Sequence, residues 1–106
     1  MTATLELLKR LAAHDEGFLG AVLWPAPERP TGLDRSTRAL VELAALLACD
    51  AATESLRWAV ERAAATGADD HTLVHVLETA AGATGSAQAV KSAPRLALAL
   101  DLDPSA

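Results

Sequence analysis

Four side chains with chemical potential fall on one stretch of the chain. Arg35, Arg38, Glu42 and Cys49 share a stripe of the run from Arg35 to Ala48, which is otherwise almost wholly apolar. A carboxylate on such a helix is costly to bury unless it is paired. Arg38, four residues before Glu42, is the expected partner. Two readings follow. One is a structural ion pair. The other is a charged pocket for a small organic acid, with Arg38 clamping the anion and Glu42 orienting it or acting as a base. Arg35, Trp58 and Ser55 are the candidate lining of that pocket. Cys49 is the third candidate reactive group. A lone Cys flanked by apolar residues is most often a small buried hydrophobe. It also stands just before Asp50, an expected helix cap, and a helix start favours a thiolate.

His71, His75 and Glu78 recur at i, i+4 and i+7, so they share one helix face. Two histidines four residues apart can hold a metal together. The face lies opposite Leu73, Val76, Leu77 and Ala80, which reads as a solvated stripe or a polar contact between subunits. No metal or other cofactor is expected. The sequence has no glycine-rich phosphate loop, no nucleophile-elbow motif and no zinc-binding cysteine cluster.

These groups must be positioned by helices. Thr4 to Ala13 carries Leu5, Leu8 and Ala12 on one side, widened by Leu7 and Leu11, which predicts a short amphipathic helix. Asp15 is placed to cap a second helix bearing Phe18, Leu19, Val22 and Leu23 and reaching Trp24. Residues 25–32 hold three prolines and a glycine and predict a loop. Asp34 caps the central helix, Arg35 to Ala48, which is apolar nearly all round and should be covered on several sides. Asp50 is the expected cap of a fourth helix ending before Gly67, and Asp69 of a fifth ending at Gly82. A last helix starts at Ser86. Pro94 predicts a kink or break within it, with Ser92 as a fresh N-cap and an end near Asp101.

The chain has 106 residues, enough for one domain: an N-terminal arm (1–24), a Pro-rich loop (25–32) and a helical core (33–101). It is 51% hydrophobic, which excludes disorder, and its few β-branched residues argue for an all-α fold. The net charge of −5, with scattered basic residues and 3% aromatics, excludes a nucleic-acid binder or a protein of anionic membrane surfaces. The charged first fifteen residues do not read as a signal peptide, and one cysteine makes no internal disulfide, so a cytoplasmic location is expected. A domain this small buries only about 60–70% of its surface. Half the chain is nevertheless apolar, so apolar surface stays exposed or another chain covers it.

Leu33-Asp-Arg-Ser-Thr-Arg-Ala-Leu-Val-Glu-Leu-Ala, the helix end Ala63-Ala-Ala-Thr-Gly-Ala-Asp-Asp and the segment Leu73 to Leu77 together resemble the carboxymuconolactone decarboxylase family, which includes the alkylhydroperoxidase D-like proteins. The resemblance covers residues 33–100, and the leading Leu-Leu-Lys-Arg-Leu-Ala-Ala-His-Asp-Glu-Gly-Phe-Leu resembles the first helices of short members. It implies a bundle of about five to seven helices, assembled as trimers or hexamers. Known members decarboxylate a lactone acid or reduce peroxides through a Cys-x-x-Cys pair and a histidine. Anchored on Gly67-Ala68, the two cysteines fall at Ala52 and Ser55 and the histidine at Ala59. The upstream glutamate falls near Ala39, one turn before Glu42. Ala52, Ser55 and Ala59 cannot perform the family chemistry, and Glu42 is the candidate substitute for the glutamate. The expectation is therefore an oligomeric scaffold or a binder of a small organic acid. The alternatives are a lyase or isomerase acting through Glu42 and Arg38, and a thiol-dependent peroxidase using Cys49.

Overall fold

The computed structural model describes residues 2–13 and 32–102. It divides into two compact units, residues 1–31 and 32–106. In the first unit, helix α1 (Thr2–Ala12) forms as its leucine spacing predicts, and every one of its residues is exposed. The expected helix from Phe18 to Trp24, its Asp15 cap and the proline loop up to Thr31 lie outside the described residues.

The second unit contains α2 (Arg35–Ala48), α3 (Thr53–Ala65), α4 (Asp70–Thr84) and α5 (Ser86–Ala99). No strand occurs among the described residues, so the fold is all-α there. Helix α2 packs against the other three, and α5 also touches all three. The pair α2 and α5 thus forms the centre, flanked by α3 and α4. Leu43, Leu47, Leu56, Leu73 and Leu96 meet in the core, with Ala39, Ala59, Ala63 and Ala99 filling the close approaches between helices. Small side chains let helix axes come near one another, which is how an alanine-rich chain builds a dense interior.

Helix starts follow the cap chemistry at two of the expected positions. Asp34 and Asp69 have extended backbones, and their carboxylates accept from the N–H of Thr37 and Thr72. Those bonds hold both carboxyls below the ordinary aspartate range. A depressed folded value means that the stabilisation is complete above the unfolded aspartate range and is lost as pH falls through the folded value. Asp34→Ala and Asp69→Ala are therefore expected to lower the thermal midpoint at neutral pH. The gap to the parent protein should close in acid, as read by circular dichroism melts.

Two expected boundaries differ. Asp50 does not cap α3. Its φ is +58°, a left-handed conformation that ends α2, while Ala52 takes the extended N-cap position. An aspartate tolerates this region better than most residues. The Asp50 carboxylate instead accepts from Arg95 Nη1 at 2.6 Å, and the same nitrogen reaches the carbonyls of Asp50 and Ala51. This ties the α2–α3 turn to α5. Helix α4 runs past Gly82 to Thr84 and stops at Gly85, whose φ of +101° suits glycine. Gly67 ends α3 as expected. Its N–H and that of Ala68 donate to Ala64 and Ala63, a closing pair of bonds that needs the φ of +99° found there.

Helix α5 is not broken at Pro94. Proline removes one helical bond, the one its N–H would have made to the Val90 carbonyl. Val90 lies on the solvent side, so that carbonyl is not stranded in the core. Ser92 is no cap. It is buried, and its hydroxyl donates to the Leu47 carbonyl at 2.9 Å, where Gln88 Nε2 also donates at 3.1 Å. The last carbonyls of a helix lack internal partners, and α5 supplies one for α2. That contact ties α5 to α2 on the turn before its proline.

Candidate functional site

Glu42 is the hub of the partly buried charges. Arg38 Nε donates to its Oε1 at 3.2 Å, one turn away on α2. Arg62 Nη1 donates to its Oε2 at 2.6 Å from α3. The side chains are 16%, 26% and 19% exposed for Arg38, Glu42 and Arg62, respectively. Each carboxylate oxygen therefore already accepts from a guanidinium in a half-desolvated setting. The Arg62 guanidinium also lies over the Trp58 ring, 4.7 Å from its centroid, a cation–π contact. Trp58 and Arg62 are one helical turn apart on α3, so the ring steadies the arginine that reaches Glu42.

Sequence reasoning paired Arg38 with Glu42, and the structure does so too. It missed Arg62, twenty residues away from Glu42. The available signal was the i, i+4 pairing of Trp58 with Arg62. It marks an arginine held over an aromatic face, without naming its target.

Of the other candidates, Trp58 joins this cluster through Arg62, and Arg35, Ser55 and Cys49 do not. Arg35 lines a shallow hollow with Asp34, Ser36, Ala65 and Thr66, and that hollow includes none of the clamp residues. Ser55 is exposed at the start of α3. Trp58 is partly exposed, with Arg62 across its face, and is not a wall of that hollow. Cys49 is an exposed free thiol at the C-cap of α2. The helix start expected beside it lies instead at Thr53, so the setting that motivated the redox reading is not formed.

On α4, the expected polar face is present. His75 Nδ1 stands 3.2 Å from Glu78 Oε1, and His75 Nε2 stands 3.1 Å from His71 Nε2. All three side chains are exposed. Among the described residues, no group of three or more His, Cys, Asp or Glu is arranged to hold a metal ion. A second shallow hollow, mostly apolar, runs between Ala44 of α2 and Val76, Ala80 and Ala83 of α4, with His75 at its edge.

Apolar side chains also reach solvent. On α5, Val90 is 74% and Leu98 57% exposed, and the exposed Pro94 lies midway between them. The i, i+4, i+8 spacing places the three on one face. Val41 of α2 and Val74 of α4 are exposed as well. No helix of the described residues is long and apolar enough to cross a membrane.

No protein-family model, curated protein or solved structure matches this chain.

Proposed function

We propose that the protein is a helical assembly module that binds further copies of itself and performs no chemistry of its own at the Arg38–Glu42–Arg62 cluster. The observation that carries this reading is the apolar stripe Val90–Pro94–Leu98 on the outer face of α5. Such a stripe, on a domain too small to bury all its apolar surface, is typical of an association face. Helix α5 is continuous from Ser86 to Ala99, so the three residues of the stripe lie on one element.

Other observations support the absence of catalysis. A general base needs a carboxylate oxygen within reach of a substrate proton. Both Glu42 oxygens are engaged by arginines, and their geometry is that of a clamp between α2 and α3. In this reading the chain is a divergent relative of the carboxymuconolactone decarboxylase family that has kept a helical scaffold and lost its chemistry. Ala59, at the position the resemblance gives to histidine, is buried among core leucines rather than facing a site. Assembly as trimers or hexamers belongs to the same proposal.

The test is a pair of charges on the stripe. Val90→Asp with Leu98→Asp places two carboxylates on the proposed contact, where burying them is prohibitive. The expected result is a fall to one-chain mass in size-exclusion chromatography with the circular dichroism spectrum unchanged. An unchanged assembly mass in the double variant would show that the stripe is not the contact.

A further inference from the structure

We propose that His71 and His75 form a chelating site for a borderline divalent transition-metal ion such as Zn2+, with Glu78 as the outer partner that orients His75. The argument starts from distance. Two nitrogens each about 2.0–2.1 Å from one zinc ion lie about 2.9 Å apart at a right angle and about 3.3 Å apart at the tetrahedral angle. The two Nε2 atoms here stand 3.1 Å apart, inside that interval. The rings are close to perpendicular, with centroids 4.4 Å apart and planes at 75°.

The tautomer follows from the third residue. Glu78 Oε1 lies 3.2 Å from Nδ1 of His75, where its carboxylate favours the tautomer that carries the proton on Nδ1. A neutral imidazole protonated at Nδ1 leaves the Nε2 lone pair free for a metal. A carboxylate on the far nitrogen of a ligating histidine is the usual outer arrangement at such sites. His71 reaches the same point with its own Nε2 once it carries its proton on Nδ1. Solvent supplies the remaining ligands, because the face is exposed. Asp69 and Asp70 precede the pair in sequence and Glu78 follows it, and this negative charge favours a cation, offsetting the partial positive charge of the helix start. The two imidazoles select a borderline ion over Mg2+, which prefers oxygen ligands.

Isothermal titration with Zn2+ tests the proposal, with Mg2+ as the comparison ion. One equivalent of Zn2+ is expected to bind, with no saturable binding of Mg2+. His71→Ala and His75→Ala should each weaken binding by at least about tenfold, and Glu78→Gln by about tenfold. Cys49→Ser and His14→Ala should leave it unchanged, which separates this site from the thiol and from the remaining histidine. The proposal is overturned by the absence of saturable Zn2+ binding. It is equally overturned if affinity survives both histidine variants, or if it is lost with Cys49→Ser or His14→Ala. Unchanged affinity in Glu78→Gln would remove the orienting role assigned to Glu78.

Discussion

Glu42→Ala is expected to destabilise the protein by about 2–4 kcal/mol. Removing one partner of a fully buried ion pair costs about 3–5 kcal/mol, and an exposed pair contributes about 0–1. Glu42 and its two arginines lie between these limits but nearer the buried one, at 16–26% exposure. Their geometry raises the value further. Glu42 separates two guanidiniums, so its loss leaves two cations facing each other across the α2–α3 contact. The cost comes from stranded charge rather than from lost attraction. It follows that Arg38→Met, Glu42→Leu and Arg62→Met together should recover most of the stability, because an apolar replacement strands nothing. Urea unfolding of the single and triple variants measures both effects. A loss below about 0.5 kcal/mol in Glu42→Ala would place the cluster with ordinary surface pairs.

Ala59→His is expected to destabilise the protein by about 3 kcal/mol or more. Ala59 is 1% exposed and packs in the cluster that contains Leu43, Leu56 and Leu96. An imidazole there overfills a close-packed interior, at about 1–3 kcal/mol, and buries polar nitrogens without partners, at about 1–3 more. The substitution restores the residue type that the family resemblance places at this position. The expected outcome is nonetheless an unstable protein with no gain of peroxide reduction or decarboxylation. A variant that folds with unchanged stability would mean that residue 59 borders a space able to hold a catalytic side chain. The non-catalytic reading would then be wrong at its centre.

The extent to which the sequence revealed this architecture depended on how local each determinant was. The span of α2 was legible from Asp34 and the apolar run after it, and the end of α3 from Gly67. Both signals act within a few residues of the boundary. The start of α3 was not legible. Asp50 looks like a cap in isolation, and it is the contact with Arg95, forty-five residues on, that gives its carboxylate another role. The continuity of α5 was hidden for the same reason. Pro94 predicts a break from local rules, but Ser92 and Gln88 bind the Leu47 carbonyl and hold the helix against α2. At the candidate site, the Arg38–Glu42 pair was visible as an i, i+4 spacing. Arg62 closes the clamp from another helix, where spacing carries no information. The pocket expected around Arg35, Ser55 and Trp58 was a guess about which side chains converge, and convergence is a property of packing.

The exposed stripe of α5 was likewise invisible to a reading of single residues. Val90, Pro94 and Leu98 fit a core face as well as an outer one, and only the positions of α2, α3 and α4 around Leu96 and Ala99 decide which. What they decide is that Val90 and Leu98 face outward while Leu96 and Ala99 face the core.

Sedimentation velocity of the unmodified chain over a range of concentrations tests the assembly reading most directly. The expected result is a species of three or more chains that persists on dilution into the low micromolar range. A single species of one-chain mass at every concentration would contradict it.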